Sequence, residues 1–93
     1  MSIPTVANNS DNSRYEISVD GRLAGFTEYV DKGDILVFPH TQLFDEFAGQ
    51  GLGAILVTGA LDDVRANGRL IRADCTYVRR FLGKHPEYKD LIA

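Results

Sequence analysis

Five residues, Gly49-Gln50-Gly51-Leu52-Gly53, constrain this chain more than any other stretch. They join an apolar, strand-like run to an amphipathic helical pattern. Alternate glycines let the backbone turn sharply and bring successive N–H groups close to a ligand. A helix starting there adds unpaired N–H groups and a positive dipole end, which together suit an anion. A phosphate-bearing ligand is the natural occupant; a tight strand-to-helix turn without a ligand is the plainer reading. Only a small fold fits around one such junction. The 93 residues, 44% apolar, supply one modest core. That excludes a full dinucleotide-binding domain, a (β/α)8 barrel and a repeat array.

Residues 1–13 contain Asn8, Asn9, Ser10, Asn12 and Ser13 and show no core-forming pattern, so a flexible tail is expected there and one domain over residues 14–93. From Arg14, the apolar Tyr15, Ile17 and Val19 alternate with Glu16, Ser18 and Asp20, which predicts a half-buried strand. Asp20-Gly21 predicts a two-residue hairpin, and Leu23 to Val30 a returning strand. Ile35 to Phe38 is continuously apolar and reads as a central strand buried on both faces, running on to about Phe44. Pro39 cannot donate to a ladder, so a bulge or splayed edge is expected beside it.

After the glycines, Leu52, Ile55, Leu56, Ala60 and Val64 share one helical face as far as about Ala66, and Asn67-Gly68 supplies a stop. Arg69 to Asp74 predicts a short strand reached by a right-handed crossover. Thr76 to Lys84 predicts a second helix packing through Val78, Phe81 and Leu82, closed by His85-Pro86. Tyr88, Leu91 and Ile92 offer a small apolar closing segment. The expected order is β-β-β-α-β-α, an α+β domain with a mixed sheet.

Gly49-x-Gly51-x-x-Ala54 formally fits the dinucleotide fingerprint, with Asp74 near the place of a ribose-binding acid. A meander precedes it, however, and the chain has only one βαβ unit. No Lys-Ser or Lys-Thr follows the glycines, which excludes a Walker loop. Five motifs stand in order: Val19-Asp20-Gly21, His40-Thr41, the Gly49–Gly53 loop, Cys75, and His85-Pro86-Glu87-Tyr88. With these motifs, the run from Tyr15 to Tyr88 resembles the small, single-domain GNAT-like N-acetyltransferases, which depend on acetyl-CoA.

The resemblance implies a minimal GNAT-like acyl-CoA N-acyltransferase fold, lacking the N-terminal helical pair and last strands of larger members. Its third and fourth strands would splay apart to admit the pantetheine arm. Gly49, Gln50, Gly51, Leu52, Gly53 and Ala54 would hold the pyrophosphate through their amides, with Leu43 and Phe44 lining the arm, and Thr41 hydrogen-bonding it or orienting His40. Thr76, Arg80 and Lys84 on the second helix complete the expected CoA contacts, the last two at a spacing that suits phosphates. Two positions depart from the pattern. Ala48 replaces a frequent Arg or Gln, and Phe81 falls where many relatives carry a proton-donating tyrosine.

Cys75, between a strand and a helix N-terminus, is the candidate catalytic residue, as nucleophile on the thioester or as proton donor to the departing CoA thiolate. The competing reading is a small packing residue. An imidazole titrates near neutrality, which suits His40 to a general-base role; a satisfied structural histidine is the alternative. His85 is expected to cap and pack, and Glu87-Tyr88 to lock the closing segment against the sheet.

The net charge of −3 and the lack of a basic, aromatic-interleaved stretch argue against nucleic acid. Residues 14–50 carry −4 and residues 51–93 carry +2, so an anionic ligand would prefer the C-terminal half. Glu28, Asp45 and Glu46 offer attraction for an amine acceptor, whose identity stays open. No apolar run approaches a membrane span, and a single cysteine points to a reducing compartment, so a cytoplasmic protein without membrane or metal is expected, as a monomer or weak dimer. A CoA-binding or protein-interaction module that has lost turnover is the alternative to the enzyme, and a nucleotide-binding regulator a third reading.

Overall fold

The structure is a computed structural model and describes residues 3–93. Five strands form one sheet in sequence order: β1 (Thr5–Asn9), β2 (Arg14–Val19), β3 (Arg22–Asp31), β4 (Ile35–Leu43) and β5 (Leu70–Ala73). Helix α1 (Leu52–Ala66) connects β4 to β5, and α2 (Thr76–Lys84) follows β5. Short 3-10 turns occupy Ser10–Asn12, Asp45–Phe47 and Pro86–Leu91. The first four strands pair antiparallel and β5 joins β4 in parallel, giving a mixed α+β sheet with one strand more than the sequence predicted.

That extra strand corrects the expectation of a loose tail; positions 1 and 2 of that segment lie outside the described residues. β1 runs against β2 from Thr5↔Ser18 to Asn9↔Arg14. Its asparagines lower strand propensity but serve as ties. Asn8 Oδ1 accepts from Tyr29 Oη at 2.7 Å, and Asn9 Nδ2 donates to Glu16 Oε2 at 3.0 Å. Val6 packs where α1 carries Gly59: a Cβ there would lie 2.9 Å from the valine side chain.

The Asp20-Gly21 hairpin is as predicted, with both residues at positive φ (53° and 78°) between paired Val19 and Arg22. The core forms one cluster in which Tyr15, Ile17, Leu36, Phe38 and Ile71 meet Leu56, Val57, Ala60, Leu61 and Val64. On β4, Leu36 and Phe38 are buried while Ile35 and Val37 are only half-buried, which corrects the expectation of burial on both faces. The single core lies over one side of the sheet, so β4 alternates like its neighbours. Ile55, expected on the core face of α1, is 42% exposed, because Leu52, Leu56, Val57, Ala60, Leu61 and Val64 centre the buried stripe away from it. In α2, Val78, Phe81 and Leu82 are buried as predicted.

The feature that positions the site is a divergence between β4 and β5. Pairing runs from Ile35↔Leu70 to Phe38↔Ala73 and stops. The amides of Asp74 and Cys75 both donate to the Phe38 carbonyl, at 3.1 and 2.8 Å, and β5 then turns into α2. Beyond that point, among the described residues, β4 pairs only with β3. The register to β3 also shifts here: Phe38 and Pro39 stand opposite Tyr29 alone, between Glu28↔His40 and Val30↔Val37. Proline's missing donor therefore sits at a bulge, where the ladder does not need it.

Candidate functional site

The divergence opens a cleft of about 350 Å³ lined by Pro39, His40, Thr41, Asp74, Cys75, Thr76, Tyr77 and Arg80. It collects five of the sequence-predicted residues, His40, Thr41, Cys75, Thr76 and Arg80, from two strand ends and the first turns of α2. Successive strand side chains point to opposite faces. The cross-strand row Tyr15, Thr27 and Thr41 lies on the core side, whereas Arg14, Glu28 and His40 form the neighbouring row on the other side. Thr41 and His40 thus border the gap from opposite faces.

Cys75 is 8% exposed and occupies the N-cap of α2. Its Sγ lies 3.5 Å from Thr41 Oγ1. Burial alone pushes the thiol up, but the Thr41 hydroxyl and the Val78, Tyr77 and Thr41 amides outweigh it, and the pKa falls below the ordinary cysteine value. None of those amides closes a hydrogen bond of capping geometry, so the α2 amides act on the sulfur as oriented dipoles. Thr41, and not His40, is the side chain bonded to the sulfur. The His40 ring is exposed and stands edge-on to Phe26, with centroids 6.2 Å apart.

A second cavity, about 250 Å³, is lined by Ala54, Tyr77, Arg80, Phe81, Lys84 and His85. Arg80 and Lys84 therefore face the start of α1, the expected phosphate end. Gly49 and Gly51 adopt left-handed φ of 79° and 72°, which a side chain would strain. Among the described residues, no backbone or side-chain acceptor takes the amides of residues 49–51. Leu52, Gly53, Ala54 and Ile55 form the first turn of α1, whose amides have no intrahelical partner. Gln50 and Ala54 are exposed, whereas the Leu52 side chain is in the core, so Leu52 can offer only main chain. Leu43 and Phe44 are half-buried against the core at the end of β4.

Tyr77 was missed by the sequence reasoning. Its ring lies on Gly53, where a Cβ would come within 1.8 Å of the hydroxyl, and it forms a wall shared by both cavities. It stands one turn before Phe81 on the same helical face, and that i, i+4 relation was the available signal. Phe81 is buried, stacked on His85 at 4.2 Å between centroids and tilted against Tyr88 at 5.8 Å, whereas Tyr77 is the phenol that lines the cleft.

Arg79, beside Arg80, points away from the cleft and donates to the Ala73 carbonyl at 2.8 Å. Other expectations resolve into structure. Glu46 is paired with Arg22, which removes it as a free acidic group, while Asp45 lies beside it in the turn after β4. The Tyr88 hydroxyl ties the closing segment to α1, donating to Asp62 Oδ1 at 2.7 Å, while the segment meets the sheet further on, where Ile92 bridges Ile71 of β5 and the Ala93 amide donates to the Ile71 carbonyl at 2.9 Å. No group of three or more His, Cys, Asp or Glu placed to hold a metal occurs among the described residues, and no helix among them is long and apolar enough to cross a membrane.

Residues 14–91 match the family model described as GCN5-related N-acetyl-transferase. Among solved structures, the NMR solution structure of a GCN5-like protein from Staphylococcus aureus is similar, with a TM-score of 0.71 at 22% identity, covering 96% of this chain and 87% of that one. At that identity the likeness bears on the fold alone. No curated protein matches the sequence.

Proposed function

The chain belongs to the GCN5-related N-acetyltransferase family, and from that premise we propose that it moves an acetyl group from acetyl-CoA to an amine at the cleft between β4 and β5, through Cys75. One observation carries this reading: the depressed Cys75 thiol lies where the two strands part, held by Thr41. The free amides of residues 49–51 and the first turn of α1 fit a diphosphate. Arg80 and Lys84 supply cationic walls, with Leu43 and Phe44 main chain beside the pantetheine and Thr76 at the cleft rim.

In the reaction, the Cys75 thiolate attacks the thioester carbonyl. The C–S bond to CoA breaks, CoA leaves as a thiolate that solvent protonates, and acetyl-cysteine remains. The acceptor amine then attacks that carbonyl from the opposite face of the sheet, where His40 borders the gap and takes the proton as the Cys75 thiolate departs. Glu28, paired in register with His40, gives that face an acidic neighbour for a cationic amine.

The second reading, a CoA-binding module without turnover, is favoured by Ala48 and by the apolar, stacked Phe81. Intact mass after incubation with acetyl-CoA separates the possibilities. A hydroxylamine-sensitive gain of one acetyl group, absent in Cys75→Ser, supports the covalent route. CoA release that requires an added amine, without an adduct, replaces it with direct transfer in which Cys75 protonates the leaving thiolate. Tight CoA binding with neither signal overturns the enzyme in favour of the module.

A further inference from the structure

We propose that Thr27 is a positioning residue for Cys75, acting through Thr41 as a two-hydroxyl relay that presents a proton donor to the sulfur. Thr27 lies on β3 directly opposite Thr41 and is the buried polar residue of the core, fully shielded from water. Its hydroxyl has one partner among the described residues, Thr41 Oγ1 at 2.8 Å. Thr41 Oγ1 in turn lies 3.5 Å from Cys75 Sγ. The three side chains form a line from the interior of the sheet to the cleft.

The direction of donation in this line is set by burial. A hydroxyl has one proton to give and two lone pairs. With no water at Thr27, its proton has an acceptor within the line only if it points at Thr41. Thr41 then accepts from Thr27 and turns its own proton toward the sulfur, which suits a thiolate. When the sulfur is protonated and donates to Thr41, the Thr41 oxygen accepts from both Thr27 and Cys75, and the Thr41 proton loses the sulfur as its acceptor while Thr27's own proton bars it from turning back. A donor left unpaired at the edge of the core is costly, so the relay favours the ionised sulfur. The titratable groups bordering the same cleft are His40 from β4, Asp74 after β5, and Tyr77 and Arg80 from α2. The Asp74 carboxylate is engaged by Arg72 at 3.1 Å. None of these groups hydrogen-bonds the sulfur among the described residues, whereas Thr41 does.

The inference concerns the thiol itself and does not depend on acetyl transfer. The test is therefore the pH profile of iodoacetamide alkylation of Cys75 in the full chain, which reads thiolate directly and leaves turnover aside. Thr27→Val keeps the shape and removes the hydroxyl. Its profile is expected to move up by about half to one pH unit, with alkylation about three- to tenfold slower on the rising limb. Thr27→Ser keeps the hydroxyl and is expected to retain the wild-type midpoint even if the lost methyl lowers its melting temperature. A wild-type profile in Thr27→Val overturns the proposal. So does an equal shift in both variants, which would assign the effect to packing.

Discussion

The Tyr88 hydroxyl ties the closing segment to α1, beside the Arg65 bonds to the Glu87 carbonyl and Asp90, and its acidity records the bond. Donation to Asp62 and burial, with the Asp62 and Glu87 charges adding to them, push the phenol from 10.0 up to about 12. The folded state therefore favours the protonated ring. Its stabilising contribution is complete below the ordinary tyrosine pKa and is lost as pH rises toward about 12. Tyr88→Phe is expected to lose about 1 kcal/mol near neutral pH in urea unfolding. The deficit should shrink as the pH passes from the ordinary value to the raised one. A deficit constant across that range would mean that the ring packs without an energetically significant bond. Legibility at this scale was uneven. Cys75 could be read because a strand-to-helix junction gives a thiol a definite electrostatic setting. Thr27 could not, since a threonine in a strand reads as a β-branched filler. What its hydroxyl meets depends on cross-strand register, which bulges at Ala24 and at Phe38–Pro39 adjust.

Elements were legible where periodicity and turn chemistry agreed. The Asp20-Gly21 hairpin, α1 and α2 follow from patterns a few residues long. β1 was hidden because Asn8 and Asn9 belong to loops by propensity, and their strand is held by tertiary partners, Tyr29, Glu16 and the Gly59 surface of α1. The meeting of α1 and α2 was equally invisible, and it rests on Gly53 beneath Tyr77. This contact makes an expectation at the scale of two helices. Alanine is a better helix former than glycine by about 0.5–1 kcal/mol. In a Tyr77→Ala background, Gly53→Ala should therefore stabilise the protein by about that amount. With Tyr77 present, the new methyl would fall 1.8 Å from the hydroxyl and 2.5 Å from the ring carbon that bears it, so the ring must swing out and the gain should vanish or reverse. Thermal unfolding of the four proteins gives the coupling; additive effects would show that the phenol does not rest on that glycine.

Across the whole molecule, a sheet that closes for four residue pairs and then opens is an incomplete structure by design of its backbone. The carbonyl of Phe38 takes two amides, and among the described residues no strand continues on the β5 side past Pro39. A ligand with amide groups along its arm and phosphates at its end can bridge that opening, pairing with β4 while its diphosphate meets the α1 amides and the Arg80 and Lys84 walls. Such a ligand binds the folded chain and not the unfolded one, so it must raise the melting temperature. At a concentration a hundred times its Kd, linkage gives about 2.7 kcal/mol. For a domain of this size each kcal/mol is worth roughly 4–8 °C, so CoA should raise Tm by about 10–20 °C. ATP and NAD carry phosphates without the pantetheine arm and should shift it by only a few degrees at the same concentration. Added salt should erode the CoA shift, because the +2 C-terminal half contributes screened attraction. Equal shifts from all three ligands would reduce the site to a general phosphate cradle, with the opening between β4 and β5 left without a role in recognition.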